Sequence, residues 1–373
     1  MNYYIIAGEA SGDLHGSNLM KSLYKKDPKA SIRFWGGDLM QQQGGTLVKH
    51  YRELAFMGFV EVLFNLKVIM QNIAFCKKDI VDFNPDVLIF IDYPGFNMRI
   101  AKWAKKQGFK THYYISPQIW AWKESRIQAI KRDFDTLYVI LPFEKSFYED
   151  KHGFPVSFVG HPLIDAIHNR VPIAANDFRA QHQLSSKPII AILPGSRKQE
   201  ISKMLSVMLS VVDCFPDYQF VIAGAPSQEI SFYEPFLKDK KVTLVVNQTY
   251  DLLSQATAAL VTSGTATLET ALFKVPEVVC YKGNWISYQI AKNIITLKYI
   301  SLVNLIMDKE VVKELIQDAC TTQNIQLALE KILNPKHRAN LLQEYTVLEQ
   351  LLGGVGASEK VADLIVASCT KEK

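Results

Sequence analysis

The chain has 373 residues, 48% hydrophobic and 21% charged, which is enough for two packed cores and a soluble surface and excludes a disordered or membrane-spanning class. The formal net charge of +5 is dispersed: the densest basic run, Lys123 to Arg132, is broken by Glu124 and apolar residues, which argues against a nucleic-acid partner. Five scattered cysteines have no metal-ligand or redox spacing and imply a reducing compartment.

In chain order, Met1–Gly8 lacks the basic and long apolar regions of a signal peptide and reads as a first β-strand, which places the protein in the cytoplasm. The turn Gly8-Glu9-Ala10-Ser11-Gly12-Asp13 follows it. Its spacing is neither a P-loop nor G-x-G-x-x-G, so it reads as a substrate-facing turn, with Ser11 or Asp13 capping the next helix and Glu9 and Asp13 able to contact sugar hydroxyls. From Phe56 to Phe75 the chain is unusually apolar. On a helix, Glu61, Asn65 and Asn72 line one stripe while Phe59, Val60, Leu63, Phe64, Ile69, Met70 and Ile73 cover much of the remainder. Part of it must be a buried helix under the first sheet, but the coverage exceeds one core-facing face, and an exposed remainder suits a membrane surface or an acyl-chain slot, aided by Lys67, Lys77 and Lys78. No stretch is long enough to span a bilayer.

Strands are expected at 3–7, 86–91, 111–115, 136–140 and 156–159, with helices at 13–24, 96–107 and 142–152 between them. Asp92, at the end of an apolar strand, has the position of a general base: partial desolvation there raises carboxylate basicity. The bland alternative is a turn-forming aspartate before Pro94. Asp133-Phe134-Asp135 has D-x-D spacing but flanks the amino end of a strand, so it reads as turn chemistry. The histidines lack metal spacing, and neither a metal nor another cofactor is implied.

Polar residues and turn-formers between His161 and Lys187 mark a seam. Beyond it a second series of strands is expected at 188–193, 219–223, 242–246, 258–261 and 278–281, with helices at 198–215, 265–273 and 285–295. Two runs of βα units imply two doubly wound α/β domains. Ligands gather at the carboxyl ends of such strands. Leu193-Pro194-Gly195-Ser196-Arg197 offers a close backbone approach, a helix N-terminus and a guanidinium fork for phosphate; the bland alternative is an ordinary strand–turn–helix junction with Ser196 as N-cap and Arg197 in solvent. Ser263-Gly264-Thr265 repeats the arrangement, and Glu269 has the place of an acid for ribose hydroxyls. Two such loops in one domain favour a nucleotide diphosphate. From Asn324 onward the chain reads as wholly helical, a tail that packs on the first domain or on a partner subunit.

Taken in order, Gly8–Asp13, Met57–Leu63, Ile91–Asn97, Ser116-Pro117-Gln118-Ile119-Trp120-Ala121-Trp122, Leu141-Pro142-Phe143-Glu144, Leu193–Arg197 and Ser263–Glu269 resemble the lipid-A-disaccharide synthase family. The resemblance implies a GT-B fold, two Rossmann-like doubly wound domains facing a cleft with a helical C-terminal tail. It implies an acceptor and membrane-facing domain over 1–165, completed by the tail 345–373, and a UDP-sugar domain over 166–344. The implied reaction is an inverting, metal-independent transfer in the lipid A pathway of Gram-negative bacteria. It would join UDP-2,3-diacylglucosamine to 2,3-diacylglucosamine 1-phosphate (lipid X), giving the β-1,6-linked disaccharide 1-phosphate and UDP. By this likeness Asp92 is the base. Gly195, Ser196 and Arg197 hold the diphosphate, and Ser263, Gly264, Thr265 and Glu269 hold UDP. Asn304 supports activity, and Glu9, Ser11 and Asp13 lie on the sugar side. Phe56, Phe59, Val60, Leu63, Phe64, Ile69 and Ile73 form the membrane or acyl patch on the inner-membrane surface, and the tail is a route to a homodimer. The chain departs from the family pattern at Gly95, where a second acid often stands, and at Lys309, where arginine is usual. Two rivals remain at this point: another GT-B-like UDP-sugar enzyme, such as a UDP-GlcNAc 2-epimerase or the transferase that makes peptidoglycan lipid II, and a non-catalytic protein binding lipid or nucleotide sugar.

Overall fold

The structure, a computed structural model, describes residues 1–54, 66–283 and 298–370. The chain forms two compact units, Met1–Asn169 with Leu352–Lys373 and Arg170–Leu351.

In the first unit, strands β1 (Asn2–Ala7), β2 (Ser31–Gly36), β3 (Thr46–His50), β4 (Val87–Ile91), β5 (Thr111–Tyr114), β6 (Thr136–Val139) and β7 (Ser157–Phe158) make a parallel sheet in the order β3-β2-β1-β4-β5-β6-β7. The inner strands are largely apolar because both faces are covered; β4 is apolar throughout and buried at every residue. One face packs Tyr4, Ile6, Leu88, Phe90 and Tyr113 against the helices Leu66–Phe83 and Pro94–Lys106. The other packs Tyr3, Ile5, Ile89 and Tyr114 against the helices Ala10–Lys26 and Ala357–Thr370. The chain's last helix therefore belongs to its first unit. Val361, Ala362 and Ile365 are fully buried there, Lys26 pairs with Asp363 at 2.8 Å, and the Asp165 carboxylate accepts from the Gly356 and Ser358 N–H groups.

In the second unit, β8 (Ile189–Leu193), β9 (Gln219–Gly224), β10 (Val242–Val246), β11 (Ala256–Thr262), β12 (Glu277–Tyr281) and β13 (Lys313–Ile316) run parallel in the order β10-β9-β8-β11-β12-β13. Both sheets thus reverse direction beside their first strand, between β1 and β4 and between β8 and β11. At such a switch point the adjacent crossover helices lie on opposite faces, and the loops at the carboxyl ends part to leave a crevice.

Strands β2, β3 and β13 were not among the sequence expectations. Arg33, Lys49, Lys313 and Glu314 interrupt their apolar runs, and β3 and β13 are edge strands whose exposure tolerates charge. The helix expected at 142–152 ends its α-helical part at Ser146 and continues as a π-helical turn, Phe147–Lys151. The helix expected at 285–295 lies outside the described residues.

Candidate functional site

At the first switch point β1 and β4 are paired through Ala7 and Ile91, so Glu9 and Asp92 emerge from neighbouring strand ends. Asp92 and Tyr93 both take left-handed backbone conformations, φ +45° and +50°. For residues with side chains each costs about 1–3 kcal/mol, so the surroundings must impose them. They do so through the backbone of Asp92. Its N–H donates to the Tyr114 carbonyl, while its own carbonyl accepts from Asn97 Nδ2 at 2.7 Å and Tyr113 Oη at 2.8 Å. Tyr93 stacks on Phe96 and lies over Gly8, where a Cβ would come 2.2 Å from its ring. The helix then starts at Pro94, whose ring presets φ. Tyr93 occupies the N-cap, so Asp92 is not a cap. Burial, with the Glu9 charge adding to it, raises the Asp92 carboxyl to about 6. A carboxyl raised this far could take a proton near neutrality.

Glu9 is the N-cap residue of the helix Ala10–Lys26, and both Glu9 and Ser11 are exposed. Asp13, expected at the helix cap or on the sugar side, does neither. It is buried and accepts from the Gly37, Leu39 and Met40 N–H groups, capping the short helix Asp38–Gln42 from outside. Three backbone donors hold its two oxygens in place. Asp133 and Asp135 are likewise structural: Asp133 pairs with Arg132, and Asp135 accepts from Thr111 and pairs with Lys105.

The neighbouring strand β5 leads into a turn that sequence reasoning quoted as a motif without a role. Ser116 Oγ and Trp120 Nε1 both donate to Glu144 at 3.2 Å, and the Ile140 and Leu141 N–H groups bond its other oxygen. Burial raises Glu144 to about 7 against these four donors, which favour the ionised form. Glu144 therefore ties the turn after β5 to the turn after β6.

The described part of the greasy segment is the helix Leu66–Phe83. Ile73, Cys76 and Ile80 are buried in the core and Ile69 packs against it, so Ile69 and Ile73 leave the exposed patch in which they were expected. Asn72, assigned to a polar stripe, is buried too. The apolar side chains in solvent are Val68, Met70 (62% exposed), Phe75 and Val81. Phe56, Phe59, Val60, Leu63 and Phe64 lie outside the described residues.

At the second switch point Leu193 of β8 pairs with Val261 of β11, which sets the loops 194–197 and 263–265 side by side. Gly195 has φ +104°, and a Cβ there would meet the Glu200 carboxylate at 2.5 Å. Arg197, not Ser196, is the N-cap of the helix Lys198–Leu209. Glu200 reaches back to the Ser196 N–H at 3.2 Å, so the acid of the first turn already holds one of the amides expected to meet a phosphate. Arg197 is exposed. Ser263 Oγ donates to the Ile300 carbonyl, Gly264 and Thr265 are exposed, and Glu269 accepts from Tyr250 Oη at 2.7 Å, its pKa raised by burial. Asn304 is fully buried. Its amide bonds the Val312 carbonyl and Glu314, and its oxygen accepts from the Val311 and Val312 N–H groups, so it braces the turn before β13. Lys309, where the family usually has arginine, pairs with Glu344 at 2.7 Å.

A family model described as Lipid-A-disaccharide synthetase matches residues 3–362. The chain belongs to this family. Lipid-A-disaccharide synthases from Trichlorobacter lovleyi (37% identical, 97% of this chain and 96% of that one) and Geobacter metallireducens (38% identical, 99% and 97%) match along their full length. Among solved structures, UDP-GlcNAc 2-epimerase from Neisseria meningitidis bound to UDP-GlcNAc aligns with TM-score 0.69 over 98% of this chain and 100% of that one. The glycosyltransferase of kitacinnamycin aligns with TM-score 0.61 over 98% of each chain. At 13% and 14% identity these likenesses establish the GT-B-type fold alone. Membership makes the chain a hexosyltransferase of lipid A biosynthesis, a lipid-A-disaccharide synthase that uses a nucleotide-sugar donor and the lipid X acceptor. Among the described residues no helix is long and apolar enough to cross a membrane.

Proposed function

We propose that Asp92 is the general base of this transfer, taking the proton of the acceptor's 6-hydroxyl as the anomeric carbon of UDP-2,3-diacylglucosamine loses UDP. The observation that carries this is a carboxylate raised to about 6 on a strained turn at a sheet's switch point. One displacement by an oxygen nucleophile inverts the anomeric centre, giving the β-1,6 linkage. Gly195, Arg197, Ser263, Gly264 and Thr265 take the donor's diphosphate and Glu269 its ribose. The paired loops, the helix N-terminus and the unshielded guanidinium support that assignment. Ser196 contributes once phosphate replaces the Glu200 carboxylate at its N–H. Glu9 and Ser11, exposed at the first switch point, serve the sugar. Asp13 and Asn304 act by holding turns in place.

The exposed Met70, Phe75 and Val81, with Lys67 and Lys78 on the same helix, support attachment to the inner-membrane surface from the cytoplasmic side. A homodimer formed by exchanging the tail would preserve the same packing of Ala357–Thr370 on the first unit, with Gly353 and Gly354 as the hinge.

The direct test supplies both acylated substrates and follows UDP release together with the disaccharide 1-phosphate. Stoichiometric appearance of the two supports the proposal. Turnover of UDP-GlcNAc with no lipid acceptor would instead favour an epimerase.

A further inference from the structure

The turn locked by Glu144 ends in a cluster that the transfer as described does not use. Trp122 is 54% exposed, unusual for the largest side chain in a well-packed unit. Lys123 Nζ lies 4.2 Å from its ring centroid and the Arg126 guanidinium 5.6 Å. The acid between them, Glu124, is taken by Lys151 at 2.7 Å and His152 at 3.0 Å. Neither Lys123 nor Arg126 has a carboxylate partner among the described residues, whereas Lys105, Arg132, Lys145 and Lys151 in the same unit do. Two cations are thus held beside one aromatic ring with no carboxylate partner among the described residues.

Their place in the fold ties them to Asp92. The turn follows β5, the direct neighbour of β4, so both loops leave the same edge of the sheet one strand spacing apart. Tyr113 joins them. Its hydroxyl donates to the Asp92 carbonyl, and the Arg126 guanidinium is near enough to favour its ionised form.

We propose that Trp122, Lys123 and Arg126 form the subsite for the phosphomonoester of the glycolipid acceptor, with Trp122 as the platform for the sugar's apolar face. This rests on the assignment of Asp92 to the acceptor hydroxyl. With the 6-hydroxyl at Asp92, the anomeric phosphate stands on the opposite side of the pyranose ring, and in this assignment that side faces the loop after β5. An arginine fork and an ammonium suit a dianionic phosphate, and the indole holds both cations ready.

The experiment compares two acceptors in detergent micelles with the full chain: the diacylglucosamine 1-phosphate and the same lipid bearing a free 1-hydroxyl. Arg126→Ala should lower kcat/KM for the phosphorylated acceptor on the order of tenfold to a hundredfold, mainly through KM. The dephosphorylated acceptor and the donor KM should be untouched, Arg126→Lys should restore part of the loss, and Trp122→Leu should weaken both acceptors. An equal fall for both acceptors with Arg126→Ala, or no fall for either, overturns the subsite. Release of Arg126→Ala from phosphatidylglycerol vesicles, with the micellar preference for phosphate intact, would assign the cluster to lipid headgroups and overturn it too. Asp92→Asn should depress both acceptors alike, so failure of the base leaves the ratio between acceptors readable.

Discussion

Tyr113 and Asn97 give the strained Asp92 turn its shape by bonding a single carbonyl oxygen, and neither touches the carboxylate that would do the chemistry. Replacing Tyr113 with phenylalanine removes one donor and should cost about 1 kcal/mol of stability. Its effect on kcat should be larger than that implies, because the carboxylate is displaced; unchanged kcat at reduced stability would limit Tyr113 to packing. Asp92 has a pH signature with a definite sign. Its pKa rises from 3.8 to about 6 on folding, so the basic form is lost below about pH 6 and kcat/KM should fall tenfold per unit there. A folded-state pKa above the unfolded one means that the native state binds the proton more tightly, so this group favours folding more as pH falls from 6 towards 3.8. Thermal melting at pH 7 should therefore show Asp92→Asn no less stable than wild type. The place of Asp92 at the end of a buried strand was legible in the sequence because the run Val87–Ile91 is apolar throughout. Tyr113 and Arg126 were not, since their relation to Asp92 arises only once β4 and β5 pair.

Among the elements, the turn Gly8–Asp13 shows how a motif divides between roles. Glu9 and Ser11 stay in solvent at the strand end, while Asp13 turns inward to cap Asp38–Gln42 through three N–H groups. Asp13→Ala strands those donors and should destabilise the first unit by about 2–4 kcal/mol in urea titration, with kcat near wild type at a permissive temperature. A stable variant without activity would return Asp13 to the sugar site. In the second unit the loop proposed to hold phosphate is partly filled by Glu200, a carboxylate standing at the helix N-terminus where an anion is favoured. Arg197→Ala should raise the Kd for UDP by on the order of tenfold, read by calorimetry, and unchanged affinity would remove the loop from the donor site. The inner strands with continuous apolar runs were legible, whereas β2, broken by Arg33, was not. The charged edge strands β3 and β13 were not, because a half-exposed strand resembles a loop until its neighbour is known. The greasy helix was misassigned for a related reason: helical periodicity counts apolar positions but does not say which arc meets the sheet, and Ile69 and Ile73 fall on the buried arc.

For the molecule as a whole, the first unit is built from both ends of the chain. The helix Ala357–Thr370 covers Leu19, Met20 and Leu23 with Val361, Ala362 and Ile365. Ending the chain at Leu351 should expose that face and leave the first unit aggregation-prone with raised binding of apolar dyes, while the second unit, which needs none of those residues, keeps its fold. A well-behaved, active truncated chain would show that the tail is dispensable. The two sheets repeat one device, a reversal of strand order that parts two loops, and fill it differently: a raised carboxylate in one unit, a glycine turn and a guanidinium in the other. The account depends on the first. Its most direct test is turnover of Asp92→Asn with UDP-2,3-diacylglucosamine and 2,3-diacylglucosamine 1-phosphate, with UDP affinity measured on the same preparation. The account predicts wild-type UDP binding and a fall in kcat of at least about a hundredfold. Turnover near the wild-type rate would contradict it.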